Sequence, residues 1–368
     1  MKILFDYQIF CLQQYGGISR YFFELANYIA VNVESKVEIF TPLYINEYLS
    51  LNIGLRRKGI KIPCVSGVKR FGAWGISAAL AYLMLRTRRD LDIFHETYYS
   101  QLDCCPHTAK RIITVFDMVQ EKFLETSFAR NKTRYAKAHA VKRADHVICI
   151  SENTRRDLIE QLSVPEEKTS VVYLGYCLTA KEIMKPPVWD KPYILYVGKR
   201  GGYKNFAGLL RAYAKSLWLK EKFLLVCFGG GQFSTEEREL MNTRGISPHN
   251  IIQISGGDAV LAGLYSTAAA LVYPSLYEGF GIPPLEAMSF GCPVVCSRTS
   301  SLPEVVGSAA ELFDPADEEE MCTAIERIIS STERSQLLVD RGYERIKQFS
   351  WEKCAQDTLD VYKKVLGN

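Results

Sequence analysis

One segment in the second half of the chain carries two glutamates at a spacing that suits a ligand rich in hydroxyl groups. The segment starts at Tyr273, reads YPSLYEGFGIPPLEAMSFGCPVV, and separates Glu278 from Glu286 by seven residues. An ionised carboxylate accepts strong hydrogen bonds from hydroxyl groups. The residues alone leave open a simpler interpretation, in which Glu278 is a solvated turn residue and Glu286 a charge at the start of a helix.

The same segment predicts an anion site between the two glutamates. A strand is predicted to end at Pro274, and a helix to begin near Pro283, because proline is favoured in the first helical turn. Gly279 and Gly281 let backbone N–H groups approach a ligand closely, and a helix N-terminus attracts negative charge. Phosphate is the natural ligand. A nucleoside diphosphate sugar, with polyhydroxylated groups on both sides of a diphosphate, has this layout.

A second segment, YVGKRGGYKNF from Tyr196, places three cations in a glycine-rich turn after a predicted strand. Lys199, Arg200 and Lys204 are suited to hold a diphosphate. Fixed cations also stabilise the charge that builds on a leaving diphosphate, without a metal ion. The simpler alternative is a solvated basic turn.

Both segments resemble the signature of glycosyltransferase family 4, whose members are retaining enzymes of GT-B fold; SLPEVVG from Ser301 and LFDP from Leu312 fit it too. The resemblance implies that Glu278 faces the hydroxyls of the donor sugar and that Glu286 faces the ribose. It also implies a catalytic Arg/Lys pair, with Lys204 as one member and Arg200 or Lys199 as the other. The backbone residues implied to line the diphosphate are Phe280, Gly281 and Ile282.

A glycine pair, Gly16 and Gly17, precedes the first predicted crossover helix. By itself this pair is as consistent with a tight turn as with a ligand loop. In the resembled family the loop reaches toward the donor phosphates and the acceptor. Gly16, Gly17 and Arg20 are therefore secondary site candidates.

One position departs from the family pattern. The segment IITVFDMV from Ile112 resembles a strand end that commonly reads His-Asp, but Phe116 stands in place of the His, whereas Asp117 is retained. A phenyl ring cannot make the hydrogen bond of an imidazole. Two alternatives remain: His95, at the end of another predicted strand, covers the role, or the enzyme does without it.

These residues are positioned by a chain in which short apolar runs alternate with amphipathic stretches, a pattern typical of α/β proteins with parallel sheets. We expect a GT-B architecture of two doubly wound, Rossmann-like domains facing across a cleft. The expected N-terminal acceptor-binding domain covers residues 1–182 and the expected nucleotide-sugar-binding domain residues 183–350, joined by a proline-rich linker from Met184 to Pro192. The C-terminal helix, about 351–368, is expected to pack back on the first domain. The predicted strands are Lys2–Phe5, Val37–Phe40, Ile93–His95, Arg111–Phe116, His146–Ile150, Ser170–Tyr173, Tyr193–Val197, Phe223–Phe228, Ile251–Ile254, Ala270–Tyr273 and Pro293–Cys296.

Composition excludes several other classes of protein. The 368 residues are 48% hydrophobic and 23% charged with a net charge of +4, which fits a soluble globular protein and gives no basis for a nucleic-acid partner. The N-terminus lacks the pattern of a signal peptide, and no apolar run reaches the roughly 18 residues of a membrane span, so we expect a cytoplasmic protein. The 11 cysteines form no Cys-x-x-Cys motif, which favours buried free thiols. No metal or other cofactor is expected, because no Asp-x-Asp occurs and the histidines do not cluster with the cysteines.

The surplus of positive charge is concentrated in residues 55–90, which hold nine Lys and Arg residues and, as the only acid, Asp90. Between the cations lies an apolar helix-like run from Phe71 to Leu85. It fits peripheral contact with the inner face of the cytoplasmic membrane, or with a lipid-linked acceptor. The alternative is a helix packed on the sheet with a solvated basic end.

Together these features predict a retaining transferase that moves a hexose, with a mannose-type donor as the first guess, from a nucleoside diphosphate sugar. The expected acceptor is a glycan or lipid-linked saccharide in the synthesis of O-antigen, capsule or exopolysaccharide. The alternatives are a sugar-nucleotide epimerase or phosphorylase of the same fold, and a non-catalytic subunit that binds nucleotide or glycan.

Overall fold

A computed structural model describes residues 1–32, 35–50, 56–63, 68–123, 128–176, 178 and 183–367, with side chains from residues 72 and 132 onward in the helices that begin at 68 and 128. The chain divides into two compact units. Unit 1 comprises Met1–Gly175 and Trp351–Asn368, and unit 2 comprises Tyr176–Ser350. The predicted domain boundary at residue 182 lies outside the described residues.

Unit 1 is built on a seven-stranded, wholly parallel sheet in the order β3-β2-β1-β4-β5-β6-β7. Its strands are β1 Lys2–Phe5, β2 Lys36–Tyr44, β3 Arg56–Lys61, β4 Ile93–Glu96, β5 Lys110–Val115, β6 His146–Cys149 and β7 Thr169–Val171. Its first six helices are α1 Gln8–Leu12, α2 Gly17–Asn32, α3 Val68–Leu85, α4 Val119–Lys122, α5 Phe128–Arg143 and α6 Glu152–Leu162. Helix α6 is capped by Ser151, whose side chain accepts a hydrogen bond from the Thr154 amide at 3.0 Å.

Unit 2 contains a second parallel sheet, six-stranded, in the order β10-β9-β8-β11-β12-β13. Its strands are β8 Tyr193–Val197, β9 Leu224–Phe228, β10 Ile251–Ile254, β11 Ala270–Tyr273, β12 Val294–Ser297 and β13 Glu311–Phe313. Its helices are α7 Phe206–Lys215, α8 Leu217–Lys222, α9 Thr235–Thr243, α10 Asp258–Thr267, α11 Ile282–Ser289, α12 Leu302–Val306, α13 Glu318–Ile329 and α14 Thr332–Ile346. The last helix, α15 Trp351–Leu366, belongs to unit 1.

The central strands are apolar along their whole length because helices cover both faces of a parallel sheet. Every residue of β8 and of β11 is buried. Two parallel, helix-covered sheets confirm the predicted fold class. The nine described cysteines are free and buried, as expected, whereas Cys64 and Cys177 lie outside the described residues.

In each sheet, the order in which the chain adds strands reverses at one place. In unit 2 the chain moves outward from β8 to β9 and β10, and then returns to the other side of β8 with β11. Such a switch point leaves a crevice at the carboxyl ends of the two central strands, where open α/β sheets bind their ligands. In unit 1 the corresponding strands are β1 and β4.

Candidate active site

The two chemistry-bearing segments of unit 2 lie side by side at this switch point. Residues 198–205 follow β8 and residues 274–281 follow β11, and these strands are hydrogen-bonded neighbours in the sheet. The loops are also tied directly, since the Leu276 amide donates to the Tyr203 carbonyl at 2.7 Å. The topology therefore brings together residues that lie some seventy positions apart in the sequence.

Lys204 and Glu278 form an ion pair at the centre of this site. The Lys204 ammonium donates to Glu278 Oε1 at 2.6 Å and to the Tyr273 hydroxyl at 3.2 Å. The side chains of Lys204 and Glu278 are 19% and 10% exposed. The pair is thus largely shielded from solvent, yet still reachable by a ligand.

Tyr273 completes the cluster, and the sequence predicted it only as the end of a strand. Its ring lies 5.4 Å from the Lys204 ammonium, and its hydroxyl also hydrogen-bonds to Glu278. Burial, reinforced by the charge of Glu278, raises the pKa of Tyr273 well above its ordinary value. The phenol therefore stays neutral and orients both charged partners.

The loop that carries Glu278 is fixed by a turn of hydroxyl side chains before α12. Ser300 Oγ accepts a hydrogen bond from the Glu278 amide at 2.9 Å, and Ser301 Oγ donates to the Glu278 carbonyl at 2.9 Å. Thr299 Oγ1 donates to the Leu276 carbonyl at 3.1 Å. This turn includes Ser301, the first residue of the SLPEVVG motif that the sequence singled out, and its contacts give that motif a structural role beside the site.

Gly281 joins this loop to α11 in a conformation that requires glycine. Its φ is +100°, and a Cβ at this position would lie 2.5 Å from Leu302 Cδ2. Helix α11 begins at Ile282 with prolines in its first turn. The loop from Phe280 to Ile282 thus leads into a helix N-terminus, as the sequence predicts, which favours an anionic ligand there.

Glu286 lies in the first turns of α11 and is 9% exposed. Tyr265 in α10 donates from its hydroxyl to Glu286 Oε2 at 3.3 Å. Burial and the neighbouring carboxylate raise the pKa of Tyr265 well above its ordinary value, so this hydroxyl remains a donor. The second glutamate of the motif is therefore held in a fixed position rather than solvated.

The two cations between which the sequence could not choose differ sharply in environment. Arg200 is 7% exposed; its Nε donates to Glu237 Oε1 at 2.9 Å, and its Nη atoms donate to three backbone carbonyls. These carbonyls belong to Gly229, Gly231 and Gln232. Lys199 is exposed. The guanidinium is already used to fix a glycine-rich loop, and this favours Lys199 over Arg200 as the second cation for a diphosphate.

His95 is enclosed within unit 1, and its surroundings argue against the alternative in which it takes the catalytic role. Its side chain is wholly buried, with Nδ1 2.6 Å from the Tyr362 hydroxyl and Nε2 2.9 Å from Thr114 Oγ1. Burial lowers its pKa to about 3. A neutral imidazole with both nitrogens bonded inside unit 1 joins the sheet to α15 and is not available to a substrate.

Asp117 remains accessible beside the unusual phenylalanine. It is half-buried, and its Oδ1 accepts from the Val119 amide at 3.1 Å. Its carbonyl accepts from the buried Lys137 ammonium at 2.9 Å, which fixes the turn. Phe116 is 8% exposed and packs edge-on against Tyr21, with ring centroids 5.2 Å apart. The ring at position 116 is therefore a packing group, and Asp117 is the polar side chain left at this strand end.

The glycine pair opens α2, and the side chain of Gln13 lies across it. Gln13 Oε1 accepts from the Ser19 amide at 3.1 Å, and a Cβ on Gly16 would lie 2.2 Å from that oxygen. Gly17 has no neighbour within 4 Å of such a Cβ. Arg20 lies 3.8 Å from Glu24 on the same helix. A side chain on Gly16 would displace the Gln13 amide from this cap, whereas Gly17 leaves the helix start open.

Comparison with known proteins identifies the family. A model described as "Glycosyl transferases group 1" matches residues 180–345, and one described as "Glycosyltransferase Family 4" matches residues 15–179. The O-antigen chain mannosyltransferase B of Escherichia coli is 30% identical over 304 residues, which are 77% of this chain and 79% of that protein. The chain belongs to glycosyltransferase family 4. It is a glycosyltransferase of the kind found in bacterial glycan biosynthesis.

Solved structures show that this family 4 glycosyltransferase has the GT-B fold. Sucrose-phosphate synthase from Thermosynechococcus elongatus superimposes with a TM-score of 0.76 at 21% identity, covering 100% of this chain and 99% of that one. The Anabaena protein Alr3699/HepE in complex with UDP and glucose gives 0.73 at 17% identity, covering 98% and 99%. In the part of this glycosyltransferase that the structure describes, no three His, Cys, Asp or Glu side chains form a group that could hold a metal ion.

Proposed function

We propose that this enzyme transfers a hexose with retention of anomeric configuration from a nucleoside diphosphate sugar to a glycan or lipid-linked saccharide. Mannose is the first candidate sugar. The proposed setting is cell-surface polysaccharide synthesis, such as O-antigen, capsule or exopolysaccharide, on the inner face of the cytoplasmic membrane. The observation that carries the proposal is the Lys204–Glu278 pair at the switch point of unit 2. The E. coli O-antigen mannosyltransferase supports mannose, and the complex of HepE with UDP and glucose supports a nucleotide-sugar donor.

In the proposed complex, the diphosphate lies against the backbone of Phe280, Gly281 and Ile282. The Lys204 ammonium turns part of its hydrogen bonding from Glu278 to the diphosphate, and the exposed Lys199 adds a second positive charge. The Glu278 carboxylate, released from part of its bond to Lys204, accepts hydrogen bonds from the sugar hydroxyls. The ion pair therefore already holds both side chains where the bound donor would contact them.

The proposed reaction breaks the bond between the anomeric carbon and the diphosphate oxygen, which keeps the electron pair. The acceptor hydroxyl attacks the anomeric carbon on the face that the diphosphate leaves, and its proton passes to an oxygen of the departing phosphate. No protein base and no metal ion is needed, because the enzyme supplies positioning and a fixed cation next to the developing negative charge.

Donor binding is tested by thermal unfolding with a panel of nucleotide sugars that includes GDP-mannose and UDP-glucose. A donor at one hundred times its dissociation constant stabilises the folded state by about 2.7 kcal/mol. The shift should be lost in Glu278→Ala and Lys204→Ala and kept in the matched control Lys347→Ala, whose side chain is 66% exposed in the same unit. Absence of a shift with every donor would contradict the proposal.

Retention is tested by following the anomeric proton of the released or transferred sugar by NMR. An α-linked donor should give an α product first, at a rate that a chelator does not change. A β product formed first would overturn the retaining mechanism, and loss of turnover with the chelator, restored by a divalent metal, would overturn metal independence.

A further inference from the structure

Helix α3 of unit 1 presents most of its large apolar side chains outward and mostly small ones inward. Among its described side chains, those buried against the unit are Ala73, Ser77, Ala78, Ala81 and the larger Leu85, and the half-buried Trp74 packs against the same core. The opposite face is exposed and consists of Gly72, Gly75, Ile76, Ala79, Leu80, Leu83 and Met84. We refer to this second set as the α3 outer face.

This arrangement is the reverse of what a solvated surface helix shows. Such a helix buries its apolar stripe and turns charged residues to water. From Gly72 to Leu85, α3 has no charged residue. Ile76 is 54% exposed, Leu83 68% and Met84 54%. The side chains whose exposure to water costs the most free energy are therefore the ones that face solvent. A contiguous exposed apolar face of this kind marks a surface that another apolar medium covers.

Cations lie on the edge strand β3, next to the strand on which α3 packs. Strand β3 pairs with β2, and α3 packs on β2, where Ser77 Oγ accepts from the Leu43 amide at 3.1 Å. All six residues of β3 are exposed, and they include Arg56 and Arg57. Directly after the C-terminal end of α3, Arg86 stacks on Tyr82 at 5.1 Å.

Acidic residues around this surface neutralise only part of its charge. Glu38 lies 3.2 Å from Lys58 and 2.9 Å from Arg88, and Glu47 lies 2.6 Å from Lys61. Asp90 also pairs with Arg88 and contacts Lys2. The balance on this side of the unit stays positive.

We propose that the α3 outer face, with the cations of β3 and Arg86, docks on an anionic lipid bilayer. An amphipathic helix lying in the interface buries its apolar face at the headgroup boundary, and each nearby cation adds attraction to anionic lipid. No described helix combines the length and apolarity needed to span a bilayer. The proposal deepens the proposed function and rests on it in one respect: a bilayer-docked enzyme meets a lipid-linked acceptor where that lipid resides.

Charge decides between a bilayer and a second copy of the chain as the occupant. In a two-fold interface the same patch meets itself, so Arg56 and Arg57 would approach the cations of the other copy. An anionic bilayer instead offers negative charge around an apolar interior. The combination of an apolar face and flanking cations therefore matches lipid.

The test is co-sedimentation of the full-length protein with phosphatidylglycerol/phosphatidylcholine vesicles and with phosphatidylcholine vesicles, at low and at high salt. The wild type should bind the anionic vesicles, and less at high salt. The double variant Ile76→Gln/Leu83→Gln should weaken binding about tenfold or more. The matched control is Leu217→Gln in unit 2, because the exposed fraction of Leu217, 70%, is similar to the 68% of Leu83.

A second variant separates charge from apolar contact. Arg56→Gln/Arg57→Gln should weaken binding to anionic vesicles about 25-fold, since each cation contributes roughly a factor of five. Its control is Lys347→Gln/Lys353→Gln, where both side chains are more than half exposed. All four variants change exposed side chains, and circular dichroism checks their folding.

Failure of this proposal is distinguishable from failure of the proposed function. Absence of vesicle binding, equal binding by Ile76→Gln/Leu83→Gln and wild type, or self-association through α3 without vesicle binding would each overturn lipid docking. Donor-induced thermal stabilisation in solution should be the same in the wild type and the α3 variants. If no donor stabilises the wild type, the donor proposal is contradicted, and the vesicle-binding result still stands by itself.

Discussion

Replacing Lys204 with methionine should lower stability and activity for two separable reasons. The substitution keeps most of the side-chain volume and removes the ammonium that lies 2.6 Å from Glu278 Oε1. The Glu278 side chain is only 10% exposed, so its carboxylate would then be left largely buried with the Tyr273 hydroxyl as a neutral partner. An unpaired buried charge is destabilising, whereas removal of both charges is not.

The expected loss can be worked out from the exposure of the pair. Breaking a fully buried pair costs about 3–5 kcal/mol, and because water reaches the 19% exposed Lys204, we expect about 2 kcal/mol. For a unit of this size that corresponds to a decrease of about 4–8 °C in Tm. The double variant Lys204→Met/Glu278→Gln should regain at least half of the loss, because no charge is left unpaired. Differential scanning calorimetry on the three proteins measures this.

Turnover should not follow stability in this series. Removing a fixed donor from a developing negative charge costs about 100- to 1000-fold in kcat, so the double variant should be as slow as Lys204→Met or slower. Release of nucleoside diphosphate from the donor is the assay. A double variant no more stable than Lys204→Met would refute the coupling between the two charges. Recovered turnover in the double variant would refute the role of Lys204 at the leaving group.

Three further predictions concern single residues. Arg200→Met should destabilise the protein by about 2–4 kcal/mol, because Glu237 and three carbonyls lose their hydrogen bonds to the guanidinium. Lys199→Ala should change stability by less than about 0.5 kcal/mol and raise the donor KM. The reverse pattern in calorimetry and kinetics would assign the diphosphate to Arg200. Gly281→Ala should cost about 1–3 kcal/mol of stability and weaken donor binding, because position 281 has a φ of +100° and a Cβ there would contact Leu302. The control is Gly257→Ala, where an added Cβ has no neighbour within 4 Å. Equal stability of the two variants would be evidence against strain at position 281. Burial lowers the pKa of His95 to about 3 from 6.5, so the unfolded state takes up a proton first, and stability should fall by about 1.4 kcal/mol per pH unit as pH drops below 6.5. In denaturant titrations at several pH values, His95→Gln should remove this pH dependence of the free energy of unfolding. An unchanged pH dependence would assign the proton uptake to another group.

Strands were predictable from the sequence where burial makes them apolar. The bounds of β1, β8, β10 and β11 agree with the prediction. Burial along nearly the whole strand leaves β1, β8 and β11 with a continuous apolar pattern, and the edge strand β10 is apolar in sequence although only Ile251 is buried. Strand β3, with the sequence RRKGIK, was missed because an edge strand faces water and its charged residues carry no such pattern. Strand β13, Glu311–Phe313, was missed as well.

The candidate site was predictable where its residues follow strands, and less so where distant partners decide their role. Lys204 and Glu278 could both be predicted as site residues because each follows a predicted strand, and parallel strands bring their carboxyl ends to one edge. The burial of His95 depends on the Tyr362 hydroxyl, 267 positions away, and the environment of Arg200 depends on carbonyls of a loop after β9. No local spacing encodes either contact, so the sequence left a catalytic role open for both residues.

The central claim is that a nucleotide sugar binds in unit 2 between the loop after β8 and the loop that leads into α11. Hydrogen–deuterium exchange with and without GDP-mannose or UDP-glucose tests it most directly. We predict slower exchange in residues 198–205 and 276–286 with the donor that raises the Tm, and little of this protection in Glu278→Ala. A donor that raises the Tm of the wild type without slowing exchange in these two segments would contradict the claim.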